Sequence, residues 1–177
     1  IAIAYQKKFP KKIKHLILVS STPCFINKKE WNYGVEKDIF EKFASQLLVN
    51  WKKTIHQFFL LQLYGEPNIR KVTAKFEETI LSLGKPDPRA LKAGLKLLMD
   101  TDCRENLINI NVKTLIITGD KDRLTSLASS KYMADIIPDS SLKIFPGAGH
   151  IPFLLEPEIF VQSILNFVKE KNDRQNI

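Results

Sequence analysis

The stretch VKTLIITGDKDRLTS, residues 112–126, is the part of the sequence that bears most directly on the fold. Its first half is an apolar run of strand length that ends at Gly119. Continuous runs of this kind are typical of strands covered on both faces, as in parallel sheets. Asp120 and Asp122 follow the glycine, and functional groups in open α/β sheets gather at the carboxyl ends of strands. This acidic loop is therefore a candidate part of a functional site.

Strand and helix alternate at both ends of the chain, around a helical middle. Residues 1–25 have the pattern of helix, turn and strand, and residues 106–177 that of strand, helix, strand and closing helix. Residues 26–105 have helical periodicity nearly throughout, with one long pattern over residues 36–65. This order predicts an α/β fold with a parallel sheet and a helical insertion. The apolar stripe predicted for the closing helix consists of Ile159, Phe160, Ile164, Leu165 and Val168.

Composition indicates one ordinary domain and excludes several classes of protein. The chain has 177 residues, of which 44% are hydrophobic. Its net charge is +8, and residues 1–15 contain five lysines and no acidic residue. Those lysines fit a solvated surface or an acidic macromolecular partner. A nucleic-acid module is not recognisable, and no apolar run reaches the roughly 18–20 residues of a membrane span, so we expect neither partner.

The cysteines and histidines indicate a reduced protein without cofactors. Cys24 and Cys103 form no disulfide framework, which predicts a cytoplasmic location. His15, His56 and His150 are far apart, and no metal-binding spacing of histidines or cysteines occurs. We expect no metal and, since no glycine-rich phosphate loop is present, no nucleotide cofactor.

A second loop, PGAGHIPFLLEP at residues 146–157, places His150 directly after the strand pattern LKIF. An acid and a histidine on successive strand ends, in this order, match two members of a Ser-Asp-His relay. The carboxylate would orient the imidazole, which would take a proton from a nucleophile. A single histidine in a loop is more often a hydrogen-bonding residue than a base. The hypothesis of a catalytic His150 therefore depends on its combination with the acid loop of the preceding strand.

Residues 115–126 and 145–168, which contain these two loops, resemble the acid and histidine loops of the α/β-hydrolase superfamily. The resemblance implies that Asp122, three residues after Gly119, is the catalytic acid in preference to Asp120. It implies that His150 is the base. The whole chain is similar to the C-terminal two thirds of such a hydrolase.

Within the superfamily, residues 9–25, Trp31 and residues 51–65 resemble the carboxylesterases of biotin synthesis. Those enzymes remove the methyl group from a pimeloyl ester carried on acyl carrier protein. The resemblance implies a hydrolase core at residues 1–25 and 106–177 and a helical lid at residues 26–105. The implied acyl-contact residues are Phe58, Phe59, Leu60, Leu61 and Gln62. The same residues would equally serve to pack the lid helix against its neighbours.

The resemblance also implies a docking surface for the acidic carrier protein. Lys53, Arg70 and Lys75 supply the expected positive charge, whereas Gln57 and Ala74 stand where basic residues are expected. Ordinary solvated lysines and arginines on a helix would look the same.

The nucleophile has no counterpart, because no G-x-S-x-G occurs in the 177 residues. In the family that serine stands on the turn before the helix that corresponds to IAIAYQKKFP. We expect it a few residues before Ile1, so that the chain is a fragment without activity of its own. Cys24 fits a buried structural thiol better than a substitute nucleophile. Two alternatives stay open: an α/β-hydrolase for another small ester, lactone or carbon–carbon bond, and a non-catalytic carrier-binding remnant.

Overall fold

The computed structural model describes residues 1–64 and 67–170. Three parallel strands form its sheet in the order β1-β2-β3, and their bounds are His15–Val19 for β1, Lys113–Gly119 for β2 and Ser140–Phe145 for β3. Val19 lies opposite Ile117, and Gly119 lies opposite Phe145. The carboxyl ends of the three strands therefore meet at one edge, and the predicted α/β class is confirmed.

Helices lie before, between and after these strands. Their bounds are Ala2–Lys8 for α1, Lys37–Val49 for α2, Trp51–Gln62 for α3, Ile69–Ser82 for α4, Pro88–Asp100 for α5, Leu127–Ile136 for α6, Pro152–Leu155 for α7 and Pro157–Lys169 for α8. Short 3-10 turns cover Pro10–Lys12 and Arg104–Asn109. Helices α2 to α5 occupy the connection between β1 and β2, where the sequence predicts a helical insertion. None of the described helices is both long and apolar enough to cross a bilayer.

Strand β2 is the centre of the core because both of its faces are covered. Ile116 belongs to a cluster on one face, with Leu18 and Met133. Leu115 and Ile117 belong to a cluster on the other face, which Phe145 and Phe167 complete. Successive side chains of a strand point to opposite faces, so one apolar run supplies both clusters. Burying each isoleucine stabilises the fold by roughly 1.5–3 kcal/mol.

The long helical pattern over residues 36–65 is divided at Asn50. This residue has a non-helical backbone and ends α2, and its side-chain oxygen accepts a hydrogen bond from the Lys53 N–H at 3.3 Å to begin α3. Asparagine is a favoured residue at helix N-termini for this reason. The predicted end of the pattern at Gly65 lies outside the described residues.

The chain segments that enter and leave the insertion are joined to each other. Cys24 and Asp102 form an antiparallel bridge, the Lys28 ammonium donates to the Asp100 carbonyl at 3.1 Å, and Arg104 donates to the Lys29 carbonyl at 3.1 Å. The two ends of the insertion are thus held together next to the points where it leaves and re-enters the sheet. That residues 26–105 act as a lid stays a prediction.

The prediction for the closing helix α8 was partly wrong. Phe160, Ile164 and Phe167 pack against the cluster around Phe145, whereas Ile159, Leu165 and Val168 are exposed. The sequence has two adjacent stripes at helical spacing, and the sheet covers one of them. Periodicity alone does not distinguish the two stripes.

Candidate active site

Asp122 lies in the loop after β2, in a cradle of hydrogen bonds. Its Oδ1 accepts the backbone N–H groups of Leu124 at 2.8 Å and Thr125 at 3.0 Å. Its Oδ2 accepts the Thr125 hydroxyl at 2.7 Å. The side chain is fully buried, so these bonds hold the carboxylate in one orientation.

His150 lies in the loop after β3 and meets this carboxylate. Its Nδ1 is 2.8 Å from Asp122 Oδ2, and its side chain is 21% exposed. Its backbone N–H donates to the Gln62 carbonyl at 3.0 Å. A side chain at Gly149 would come within 2.6 Å of the Tyr64 carbonyl oxygen, so only glycine permits this close approach of α3 to the loop. Of the two aspartates that follow Gly119, Asp122 is the one that contacts His150.

The electrostatics of Asp122 favour its ionised form. Burial raises the pKa of the Asp122 carboxyl, but the hydrogen bond and charge of His150 and the N–H groups of Thr125 and Leu124 lower it further than burial raises it. A carboxylate beside Nδ1 fixes the proton on that nitrogen. The other ring nitrogen, Nε2, is then free to accept a proton, which is what a general base requires.

A cavity of about 380 Å³ lies beside this pair. His150 and Thr125 contribute to its wall. The remaining lining comes from the start of α1, the end of β1 with the residues that follow it, and the last turn of α5 with Thr101: Ile1, Ala2, Ile3, Leu18, Ser20, Ser21, Thr22, Pro23, Phe25, Leu97, Leu98 and Thr101. The candidate base therefore faces the same space as the N-terminus of α1 and an apolar wall from α5.

The predicted acyl-contact stretch, residues 58–62, reaches the site only through its end. Phe58 packs on Phe43 of α2, and Phe59 packs on Phe76 of α4, with ring centroids 5.3 and 5.5 Å apart. Gln62 meets His150 through its backbone. Among the described residues that line the cavity beside His150, none belongs to this stretch. Phe58 and Phe59 thus pack the helices of the insertion against one another, which is the alternative role that the sequence left open for this stretch.

The three predicted docking residues are exposed on the insertion. Lys53 lies on α3 beside a groove of about 370 Å³ between α2 and α3. Arg70 and Lys75 lie on α4. All three charges are thus accessible on helices that precede β2.

Sequence reasoning missed Thr125 and the two leucines of α5. Thr125 donates to Asp122 and lies 3.5 Å from His150 Nδ1. The spacing D-x-x-T was visible, since a hydroxyl three residues after an aspartate often closes such a turn. Leu97 and Leu98 had no such signal, because nothing local indicates that the last turn of α5 reaches the site.

The buried thiol of Cys24 is a poor candidate for the nucleophile. Burial raises the pKa of the Cys24 thiol, and the nearby Asp102 carboxylate adds to this rise. A thiol that stays protonated is a weak nucleophile. Cys24 Sγ donates to the Ile26 carbonyl at 3.2 Å, as a structural thiol does. Within residues 1–64 and 67–170, no three histidine, cysteine or acidic side chains are grouped as a metal site would need.

A parallel sheet with an acid loop and a histidine loop at neighbouring strand ends is the arrangement of an α/β-hydrolase. The alpha/beta hydrolase fold family matches residues 1–157, and the chain belongs to this family. Pimeloyl-[acyl-carrier protein] methyl ester esterase from Nitrosomonas europaea is 34% identical over 161 residues, which cover 91% of this chain and 64% of that protein. The enzyme of the same name from Nitrosospira multiformis is 30% identical over 169 residues, covering 96% of this chain and 64% of its own length.

Solved structures agree on the fold. The esterase EaEST from Exiguobacterium antarcticum superposes with a TM-score of 0.86 at 25% identity, over 95% of this chain and 62% of that one. A bromoperoxidase from Bacillus anthracis gives 0.84 at 20% identity, over 95% and 63%, and supports the fold alone. The chain thus spans less than two thirds of the proteins that it matches. The predicted family resemblance is confirmed.

Proposed function

We propose that this chain is part of a serine carboxylesterase in which Asp122 and His150 are the acid and the base. The contact of 2.8 Å between His150 Nδ1 and Asp122 Oδ2, beside a cavity that also touches Ile1, carries this proposal. Esterases are prominent among the similar proteins, which supports ester hydrolysis over other hydrolase reactions. The residue types and their order support the same assignment.

In this proposal the nucleophile is a serine on a turn that precedes Ile1. Such a turn leads into a helix, and the start of α1 borders the cavity with His150. His150 Nε2 would take the serine proton while the serine oxygen attacks the ester carbonyl. It would return that proton to the leaving methoxide, which departs as methanol. A water molecule, activated by the same nitrogen, would then hydrolyse the acyl-enzyme and release the carboxylic acid.

The substrate that we propose is the methyl ester of a pimeloyl group on acyl carrier protein, used in biotin synthesis in the cytoplasm. Two relatives carry that activity in their names. Leu97 and Leu98 supply an apolar wall beside His150, and of the stretch 58–62 only its Gln62 end, which binds the loop of His150, would lie near the acyl chain. The exposed charges of Lys53, Arg70 and Lys75 would steer the acidic carrier, which affects the rate of association more than affinity. The reaction needs no cofactor.

The first experiment is to sequence the coding DNA immediately upstream of the Ile1 codon, in frame. A G-x-S-x-G motif next to Ile1 is the expected result. The protein encoded with that segment should then release methanol from the pimeloyl-carrier methyl ester. His150→Ala should lower kcat by about 10⁶-fold, as removal of the histidine of a serine-hydrolase triad does. Residual turnover close to the parent value in that variant would contradict the assignment of the base.

The 177-residue chain by itself tests the other half of the proposal. We expect no hydrolysis of p-nitrophenyl butyrate by this chain, because the members of a triad act as a unit. Turnover that His150→Ala abolishes would show that the chain holds its own nucleophile. If a stop codon or an unrelated sequence precedes Ile1, salt-dependent binding of acyl carrier protein to the chain would instead support a non-catalytic carrier-binding role.

A further inference from the structure

The loops that carry Asp122 and His150 are joined by a series of hydrogen bonds beyond the end of the sheet. The Asp120 N–H donates to the Phe145 carbonyl at 3.3 Å, and the Lys121 N–H donates to the Ala148 carbonyl at 2.9 Å. Between them, the Gly147 N–H donates to Asp120 Oδ1 at 2.7 Å. These bonds continue the pairing of β2 with β3 from Gly119 up to the contact between Asp122 and His150.

Asp120 provides the side-chain member of this series. Gly147 has a φ of +80°, a left-handed conformation that turns the chain toward His150. Its N–H is bound by a carboxylate oxygen, and hydrogen bonds to ionised acceptors are shorter and stronger than neutral ones. A link at this point holds the turn that leads to the candidate base, three residues before it.

The two loops also leave little room for adjustment. A Cβ at Gly119 would lie 2.2 Å from the Ala148 carbonyl oxygen and 2.3 Å from the Gly149 carbonyl oxygen. The backbones are therefore in direct contact, and a shift of the Gly147 turn moves the residues that follow it. The imidazole sits at the end of that segment and must keep its Nδ1 within hydrogen-bond distance of Asp122.

We propose that Asp120 is a positioning residue: its carboxylate holds the Gly147 turn so that His150 keeps its contact with Asp122. The inference rests on the proposed function for its catalytic consequence, but the contact that it explains is a property of the fold. An exposed aspartate without this role would interact only with solvent and would tolerate any polar replacement. A positioning role requires an acceptor at one place.

Substitutions at Asp120 can separate the effect of the acceptor's position from the effect of its charge. Asp120→Asn keeps an oxygen at the same position and should preserve the contact. Asp120→Glu keeps the charge but moves the carboxylate by one methylene, and Asp120→Ala removes the acceptor. Asp135→Ala, at an exposed aspartate on α6, is the matched control for the loss of one negative charge.

The readout is the tautomer of His150, measured in the 177-residue chain from long-range proton–nitrogen correlations of the imidazole. These spectra use ring protons that do not exchange with water, and His→Gln variants assign the three histidines. The parent chain, Asp120→Asn and Asp135→Ala should show one form with the proton on Nδ1. Asp120→Ala and Asp120→Glu should show a mixture of both tautomers, while circular dichroism and the thermal midpoint verify that each variant is folded.

The outcomes are distinct for the two proposals. A mixture of tautomers in the parent chain would contradict the pair of Asp122 and His150, and with it the proposed function. A single tautomer in both the parent chain and Asp120→Glu would overturn the positioning role alone, even if Asp120→Ala did not fold. In the protein that carries the nucleophile, we expect Asp120→Ala to lower kcat about tenfold with an unchanged KM, and Asp120→Asn to restore it.

Discussion

Strand β2 and helix α5 are both rich in apolar residues, but their environments differ. From Thr114 to Gly119, every residue of β2 is buried. None of the 13 residues of α5 is buried, and Leu97 and Leu98 are 55% and 42% exposed. One element is covered on both faces by packed clusters, whereas the other keeps an apolar face open beside the candidate base.

This difference assigns separate tasks to the two regions. Close-packed interiors resist small displacements, so the sheet can hold the carboxylate and the imidazole at a fixed distance. Helices with few buried contacts open at lower free energy, and an uncovered apolar face is suited to a ligand chain. In the function that we propose, the sheet would supply the geometry of the site, and the insertion would supply an apolar surface that adapts to the ligand.

The largest effect that separates the two regions should come from shortening one side chain in each. Ile117→Ala shortens a fully buried side chain of β2 and should cost about 3–4 kcal/mol of unfolding free energy, because the packed neighbours cannot move in to fill the cavity that it leaves. Leu97→Ala on α5 should cost less than about 0.5 kcal/mol. Urea unfolding at equal protein concentration measures both, and equal losses would contradict the contrast in packing.

A smaller effect, of opposite sign in the two regions, is expected from adding one methyl group. Gly119→Ala would press a Cβ against backbone oxygens at 2.2 and 2.3 Å and should destabilise the chain by about 2–3 kcal/mol. A Cβ at Gly94 in α5 meets open space, so Gly94→Ala should stabilise it by about 0.5–1 kcal/mol through helix propensity. Thermal and urea unfolding give the sign of each change, and destabilisation by Gly94→Ala would show that α5 is more constrained than its exposure indicates.

The acid dependence of stability should distinguish a buried carboxylate from an exposed one. The pKa of Asp122 is lowered, so its contribution is present above the unfolded value of about 4 and is lost as pH falls toward the folded value. Asp122→Asn should cost about 1–2 kcal/mol at pH 7 and flatten the decline of stability below about pH 4. Unfolding free energies between pH 7 and pH 3 measure this.

Asp87 is the matched carboxylate on the insertion. The Arg89 side chain, and then its N–H, lower the pKa of Asp87, which is exposed at the start of α5. Asp87→Asn should therefore also lower the free energy of unfolding at pH 7, as Asp122→Asn does. This loss should disappear in 1 M NaCl, where the Debye length is about 3 Å. The effect of Asp122→Asn should persist there, and a loss of both effects in salt would contradict the shielded position of Asp122.

The smallest effect concerns strain at the end of β1. Ser20 has a φ of 43°, and among the described residues no partner lies within reach of its buried hydroxyl. Ser20→Gly relieves both and should stabilise the chain by about 0.5 kcal/mol. Ser21→Gly is the control, because it removes a hydroxyl that donates to the Val19 carbonyl at 2.9 Å and should destabilise. Destabilisation by Ser20→Gly in the unfolding curves would show that its hydroxyl has a partner in solution.

Predictions from sequence succeeded where the signal was local. The apolar run before Gly119 predicted the central strand, and the order of acid and histidine predicted which loops would be neighbours. The resemblance to α/β-hydrolases implies Asp122 and His150 as acid and base, and the structure places these two side chains 2.8 Å apart. The break at Asn50 was missed because the apolar period continues through it, and an asparagine inside a helical pattern is ambiguous between an interior position and a cap.

Residue pattern and chain order are sufficient to predict the α/β class, the insertion between β1 and β2, and the two loops that carry the candidate acid and base. These follow from periodicity and chain order, which are properties of neighbouring residues. The tertiary structure alone decided that Phe167 of α8 is buried while Leu165 is exposed, and that the Gln62 carbonyl binds the loop of His150. The physical reason is that burial and hydrogen bonding between distant segments depend on which surfaces pack together. The pattern of neighbouring residues does not contain that information.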